Sequence, residues 1–344
     1  MDSMRKERVR ESIRTLEKSH ETFVRAAKEF LSSFAGDDRK QVVKHLQSVN
    51  FYPRMDFEVN KLFESRQWRS YRFQRACQMG FVHNSRLIPP RILNVKKYGV
   101  DFAQRMGLDL PSSVMSLNAE DVDLTTPSVV KPMHSDGGKS VYAPLPKGDG
   151  RIEDLFSGRI FKSSTAFRDT LKSENLPRNK GGQWIQEEMV TGSRGSPRET
   201  IDVKFYCFYG SVALVLEVDR WGRGEKTFYD CSGVPCDTGR YRYRRKSKPL
   251  FTNNLLVKAE EVSKAIPWPH VRIDFLVSDV HEKFGEFTLR PGNPAGFNES
   301  YDRYLGELYA EANARLYEDL LMGKAFDEYK RVIANICERF GDGR

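Results

Sequence analysis

A chain of 344 residues, 39% of them hydrophobic and 30% charged, is too long for one small domain and carries enough apolar matter to bury a core, which excludes wholesale disorder. No run reaches the ~18 apolar residues of a membrane helix, and Met1-Asp2-Ser3-Met4-Arg5 opens on no apolar leader. A cytoplasmic chain without a membrane span is expected, its five scattered cysteines reduced. The net charge of +9 suits an anionic partner, whether nucleic acid, an acidic surface or a nucleotide, without choosing among them.

Val9, Ile13, Leu16, Phe23, Ala27, Phe30 and Phe34 recur at steps of three and four, which predicts an amphipathic helix. Gly36 suits its stop, and Asp37 caps a second helix carrying Val42, Val43, Leu46 and Val49. Residues 1–85 therefore read as a helical N-terminal region whose apolar stripes serve the core or a homodimer contact. Residues 50–90, which run past its end, are rich in arginine and aromatics and end on Pro89-Pro90, a linker signature. A helix is expected over 97–106. The pattern then turns to strands, over 125–133, 140–143, 183–189, 201–208, 212–218, 271–277 and 284–289. Helical spacing returns over 255–265 and 302–340. The fold class read from this order is α+β with antiparallel hairpins.

Four segments can carry chemistry. Gly137-Gly138-Lys139-Ser140 tempts a Walker A reading, but Met133 stands where that motif needs its first glycine, and Ser140-Val141-Tyr142 looks extended. What remains is a strand with Lys131, a glycine-rich turn whose amides can face phosphate, and a second strand. Trp184 to Val190 is a strand with a polar Gln186-Glu187-Glu188 end, compatible with adenine recognition by a hinge. In residues 201–207, alternation puts Asp202, Lys204 and Tyr206 on one face and Val203, Phe205 and Cys207 on the other.

The fourth segment is the most informative. Val271, Ile273, Phe275 and Val277 share an apolar face, leaving Arg272 and Asp274 opposite, while Glu286 and Thr288 share a face of the next strand. Paired through a loop near 278–283, the strands would bring Asp274 and Glu286 together. Two carboxylates so placed repel unless a cation or proton sits between them, and oxygen-only ligands on rigid strands suit Mg²⁺. The basic run Arg240 to Lys248, with its interleaved tyrosines, could stack bases or hold phosphates, or be a solvated strand and loop.

In order along the chain, these segments resemble the TupA-like ATP-grasp family, associated with teichuronopeptide and related surface-polymer biosynthesis. The resemblance runs through Asp202-Val203-Lys204-Phe205-Tyr206-Cys207-Phe208-Tyr209-Gly210, Asp219-Arg220, Val271-Arg272-Ile273-Asp274, Gly285-Glu286-Phe287-Thr288 and Tyr301-Asp302 to Leu305-Gly306, within about 96–309. It implies an ATP-grasp fold of two β-rich lobes, 86–190 with the glycine-rich phosphate loop and 191–344 with the metal site and C-terminal helices. It implies ATP and Mg²⁺ as cofactors. Asp274 and Glu286 would bind the metal, with Asn293 or Thr288 completing the set. Lys131 and Lys204 would contact ATP, with Glu187, Glu188 and Met189 at the adenine hinge and Gly137 and Gly138 over the phosphates. Lys96-Lys97-Tyr98 stands where the family has Asp-Lys-Tyr, so Lys97 is a further nucleotide candidate. Arg220, Arg272 and Arg290 are candidates for the γ-phosphate or an acyl phosphate.

The activity so implied is an ADP-forming carboxylate–amine ligase, its carboxylate and amine small or polymer-borne and suited by the basic surplus to an acidic substrate. A kinase on the same fold and a basic nucleic-acid-binding protein are the rival expectations, and the acidic hairpin argues against the second.

Overall fold

The structure, a computed structural model, describes residues 69–84, 90–133, 140–174, 182–221, 224–241, 248–292 and 294–341. The helices expected over 9–34 and 37–49, together with Gly137, Gly138, Asn293 and most of the Arg240–Lys248 run, lie outside the described residues.

The segment expected to be a linker instead holds helix α1, Tyr71–Asn84. Ser70 starts it, its Oγ accepting from the Phe73 amide at 3.2 Å. The side chains it buries include Arg75 and Gln78 beside Tyr71, so the inward stripe is partly polar and leaves no apolar periodicity to read. A short 3₁₀ turn at Pro90–Asn94 leads into helix α2, Lys96–Arg105. Gly99 of α2 lies against the turn so closely that a Cβ there would stand 2.6 Å from the Leu93 carbonyl oxygen. Phe102 and Ala103 continue this inward face.

Strands β1 (Ser113–Leu117) and β2 (Ser128–Pro132) flank a later strand, β6 (Trp184–Glu188), in a sheet of order β1-β6-β2. Between them β3 (Pro144–Pro146), β4 (Ile152–Asp154) and β5 (Ile160–Phe161) form a second small sheet. Helix α3, Ser164–Ser173, follows, with Ser163 Oγ accepting from the Ala166 amide. Val122, Val130, Ile152, Phe161, Phe167, Leu171 and Trp184 make the core here. The strand expected over 140–143 reduces to one bridge between Tyr142 and Val130, because Ser140 adopts a left-handed φ of 55° that interrupts the extended run.

A six-stranded sheet of order β10-β9-β8-β7-β11-β12 builds the larger core. Its members are β7 (Ile201–Cys207), β8 (Val212–Val218), β9 (Lys226–Tyr229), β10 (Pro235–Cys236), β11 (Val271–Val277) and β12 (Glu282–Thr288). Val203, Phe205, Ile273 and Phe275 are buried, and helix α4, Asn253–Lys264, packs on β7, β8 and β11 with Leu255, Ala259 and Val262 inward. Phe102 of α2 joins this core, its ring 5.6 Å from that of Phe287.

The chain ends in two helices, α5 (Glu299–Leu321) and α6 (Asp327–Gly341), where one helical stretch was expected. Gly323 and Phe326, both at positive φ, divide them. All strand pairings among the described residues are antiparallel, in accord with the expected α+β class.

Candidate active site

Register across three strands assembles a chain of alternating charges. Asp274 on β11 is paired with Lys204 of β7 on one side and with Glu286 of β12 on the other. The hairpin predicted from alternation therefore forms, and it brings the two acids side by side. A bulge after Asp274 shifts the register, and Gly285 fills it, since a Cβ there would stand 3.1 Å from the Asp274 carbonyl oxygen.

Asp274 is 4% exposed, and both its oxygens are taken. Arg272 donates to them through Nε at 2.6 Å and Nη2 at 2.7 Å, and Lys204 Nζ donates to Oδ2 at 2.5 Å. Burial opposes ionisation here, but the charges of Arg272 and then Lys204 win and hold the Asp274 carboxyl below the usual aspartate range. Burial likewise disfavours charge on Lys204, and Asp274 and Asp202 overcome it, raising that ammonium above its ordinary value. The chain extends outward both ways. Lys204 reaches Asp202 at 3.2 Å and Arg220 donates to Asp202 at 2.6 Å, while Arg272 Nη2 reaches Glu286 Oε1 at 3.3 Å and Thr288 Oγ1 at 3.1 Å. Glu286, with its side chain 52% exposed, is the open end.

A second group meets this end from the smaller sheet. Pairing puts Val129 and Lys131 of β2 on the same face as Ile185 and Glu187 of β6, and the Lys131 ammonium pairs with the Glu187 carboxylate. Lys96 at the start of α2 completes the group. Burial first, then the neighbouring Lys131 charge, pushes its pKa down to about 7, with Glu187 and Glu286 pulling the other way. Lys96, Gly99, Glu187, Gly285 and Glu286 line one crevice. Lysines and acids from α2, β2, β6 and β12 thus converge on one place.

The other residues singled out from sequence fall as follows. Glu188 ends β6, where its carboxylate accepts from the Ser112 amide at 3.0 Å, and Met189 beside it is buried. Lys97 is exposed, with no contact to this group among the described residues. Lys96 was the residue overlooked. Its spacing of three and seven from Gly99 and Ala103 could have found it, since those residues mark the inward face of α2. Arg290 stands apart from the Asp274 chain. Its Nε is buried without a partner, and burial followed by the charges of Arg91 and Arg75 lowers its pKa.

A metal ion here would rest on oxygen donors alone. Among the described residues no group of three or more His, Cys, Asp or Glu side chains could hold one. Mg²⁺ asks for less, since it takes one or two carboxylates and completes its shell with water and substrate phosphates. Asp274 and the open Glu286, with the Thr288 hydroxyl beside them, fit that demand, and the ion would compete with Arg272 and Lys204 for Asp274.

A sequence model of the family described as TupA-like ATPgrasp matches residues 95–310, well over half of the chain. Among curated proteins nothing matches. Solved structures similar to the chain include D-alanine–D-alanine ligase from Helicobacter pylori, at 15% identity and TM-score 0.40, covering 64% of this chain and 61% of that one. The enzyme from Bacillus anthracis complexed with ATP follows at 13% and 0.38, covering 66% of each chain. The ATP-grasp ligase PsnB, complexed with minimal precursor, Mg and ADP, matches at 12% and 0.38 over 65% of this chain, which spans 60% of the PsnB chain. No helix among the described residues is long and apolar enough to cross a membrane.

Proposed function

The chain belongs to the TupA-like ATP-grasp family, and on that footing we propose that it is an ATP-dependent ligase joining a carboxylate to an amine through an acyl phosphate. The observation that carries this reading is the meeting of Lys96, Lys131 and Glu187 with Glu286, next to the buried Asp274 that Arg272 and Lys204 hold ionised. A polyanion finds three lysines there from three separate elements, and an acidic pair stands at their edge.

In this reading residues 86–190 and 191–344 form the two lobes, and ATP lies between them. Lys96, Lys131 and Lys204 face its phosphates. Lys96 takes the part first expected of Lys97, because it and not its neighbour is turned into the crevice. Glu187, Glu188 and Met189 form the adenine edge, and Gly137 and Gly138 cover the phosphates. Asp274 and Glu286 are the residues that hold Mg²⁺, which when bound supplies charge neutralisation for the transferring phosphoryl group.

The chain's own residues do the rest. Arg272 and Lys204 keep Asp274 ionised, and Asp202 holds the Lys204 ammonium from the other side. Arg220, at one end of the charge chain, and Arg272, between Asp274 and Glu286, orient the phosphoryl and carboxylate oxygens, and Arg290 is a further cation for the acyl phosphate. A carboxylate oxygen attacks the γ-phosphorus, and the bond to the β-bridging oxygen breaks with its electron pair leaving on ADP. An amine then attacks the acyl carbon, phosphate leaves, and the amine proton passes to solvent. Exclusion of water between the steps protects the acyl phosphate from hydrolysis.

The test is ADP release across amino acids and sugar acids, with and without amines. Amine-dependent ADP formation with an amide product supports the ligase, and ADP formation with a stable phosphate on an alcohol points to a kinase. Glu286→Gln should abolish ADP release while leaving the melting temperature in place, because that side chain is half exposed. Full activity in this variant would remove the metal assignment.

A further inference from the structure

Most of the cations described at the sheet face have a carboxylate partner: Lys131 has Glu187, Lys204 and Arg272 have Asp274, and Arg220 has Asp202. Arg240 does not. It follows β10 and donates through Nη1 to the Tyr206 hydroxyl at 3.3 Å. Tyr206 is the register partner of Arg272, so Arg240 reaches the same face one step beyond the Arg272–Asp274 pair.

Its guanidinium is held by aromatic rings. Cζ lies 5.1 Å from the Phe297 ring centroid and 5.5 Å from that of Tyr241. Tyr241 is itself fixed by stacking on Phe228 at 5.8 Å. A second cation, Lys226, sits 4.6 Å from the same Tyr241 centroid. Two positive side chains therefore share one ring, and among the described residues no carboxylate pairs with either.

The neighbouring loop also leaves this side chain room. A Cβ on Gly292 would stand 2.4 Å from Arg240 Nη2, and one on Gly296 would stand 2.9 Å from its Cγ. Ring contacts fix the plane of a guanidinium without consuming its in-plane donors, and of five N–H groups only one is used by Tyr206.

We infer that Arg240 anchors a substrate carboxylate that takes no part in the reaction, with Lys226 beside it, so that the ligase joins a substrate bearing one acid group more than the chemistry requires. This rests on the ligase reading above. The extra carboxylate belongs either to the acyl donor or to the amine, and the shared chemistry is a planar oxyanion meeting a planar fork.

Calorimetric titration of the MgADP-bound full chain separates the two sources. One arm compares glutarate with butyrate, and the other β-alanine with propylamine. In one arm the ligand with the added carboxylate should bind the wild type about tenfold more tightly or better, the size of one charge-assisted hydrogen bond. Arg240→Met should erase that preference at unchanged MgADP affinity, and Arg240→Lys should keep part of it. Equal binding within both pairs, or a preference that survives Arg240→Met, overturns the inference while leaving the ligase reading intact. Absence of MgADP binding in the wild type overturns both.

Discussion

Replacing Lys96 by methionine should change how many protons accompany nucleotide binding. Lys96 is pushed down to about 7 by burial and by Lys131. Near pH 8 such a group is about nine-tenths neutral in the free protein. Phosphates placed beside it favour the charged form and return it towards the ordinary lysine value of about 10.4. Binding of MgADP near pH 8 should then take up about 0.9 proton, and near pH 6, where the free ammonium is already formed, only about 0.1. The sign follows from linkage, because a group whose pKa rises on binding weakens affinity as pH climbs above its free value. The loss is at most about tenfold per pH unit. Calorimetry in buffers of different ionisation enthalpy reads the uptake directly. Wild-type uptake that does not change between the two pH values, or that persists in Lys96→Met, would refute the placement of phosphates beside Lys96.

Three further changes test the frame around the site. Gly306→Ala should destabilise by about 1–3 kcal/mol in denaturant titration despite alanine's better helix propensity, because the new Cβ would stand 1.9 Å from the Arg69 carbonyl oxygen, a backbone atom that cannot swing aside. Phe205→Ala should cost about 3–5 kcal/mol, since that ring is fully buried with the rings of Phe275 and Phe251 at 5.7 and 5.9 Å. Asp274→Asn should lower stability by about 3–5 kcal/mol by stranding Arg272 and Lys204, in contrast to Glu286→Gln at the open end, and equal effects of the two would contradict the buried charge chain.

Much of this site could be read in the sequence because strand alternation is a strict code. Period two placed Asp202 with Lys204 and Arg272 with Asp274, and the β11–β12 hairpin then had one register that paired Asp274 with Glu286. Helices were harder to read. α1 hid because Arg75 and Gln78 share its inward stripe, a pattern that apolar spacing does not detect. α3 carried a readable signal in Ser163 followed by Phe167 and Leu171, cap and inward residues in order. β1 was invisible for a different reason. Its side chains from Ser113 to Leu117 are mostly exposed, so no face was selected to be apolar. The choice between Lys96 and Lys97 turned on which way α2 faces, and only Gly99 and Ala103 could have settled it. Arg240 belongs to a charge run whose composition says nothing of a partner, and its hydrogen bond to Tyr206 and position over Phe297 depend on packing distant in sequence.

The most direct measurement of the proposed chemistry follows an oxygen atom. With a carboxylate substrate from the ADP-release screen labelled with oxygen-18 on both oxygens, transfer of the γ-phosphoryl group to that carboxylate and its displacement by an amine leave one labelled atom in the released phosphate. Mass spectrometry should find that single label in wild type and no phosphate release in Glu286→Gln. Phosphate carrying no label, with both labelled atoms still in the carboxylate, would contradict the acyl phosphate and with it the ligase.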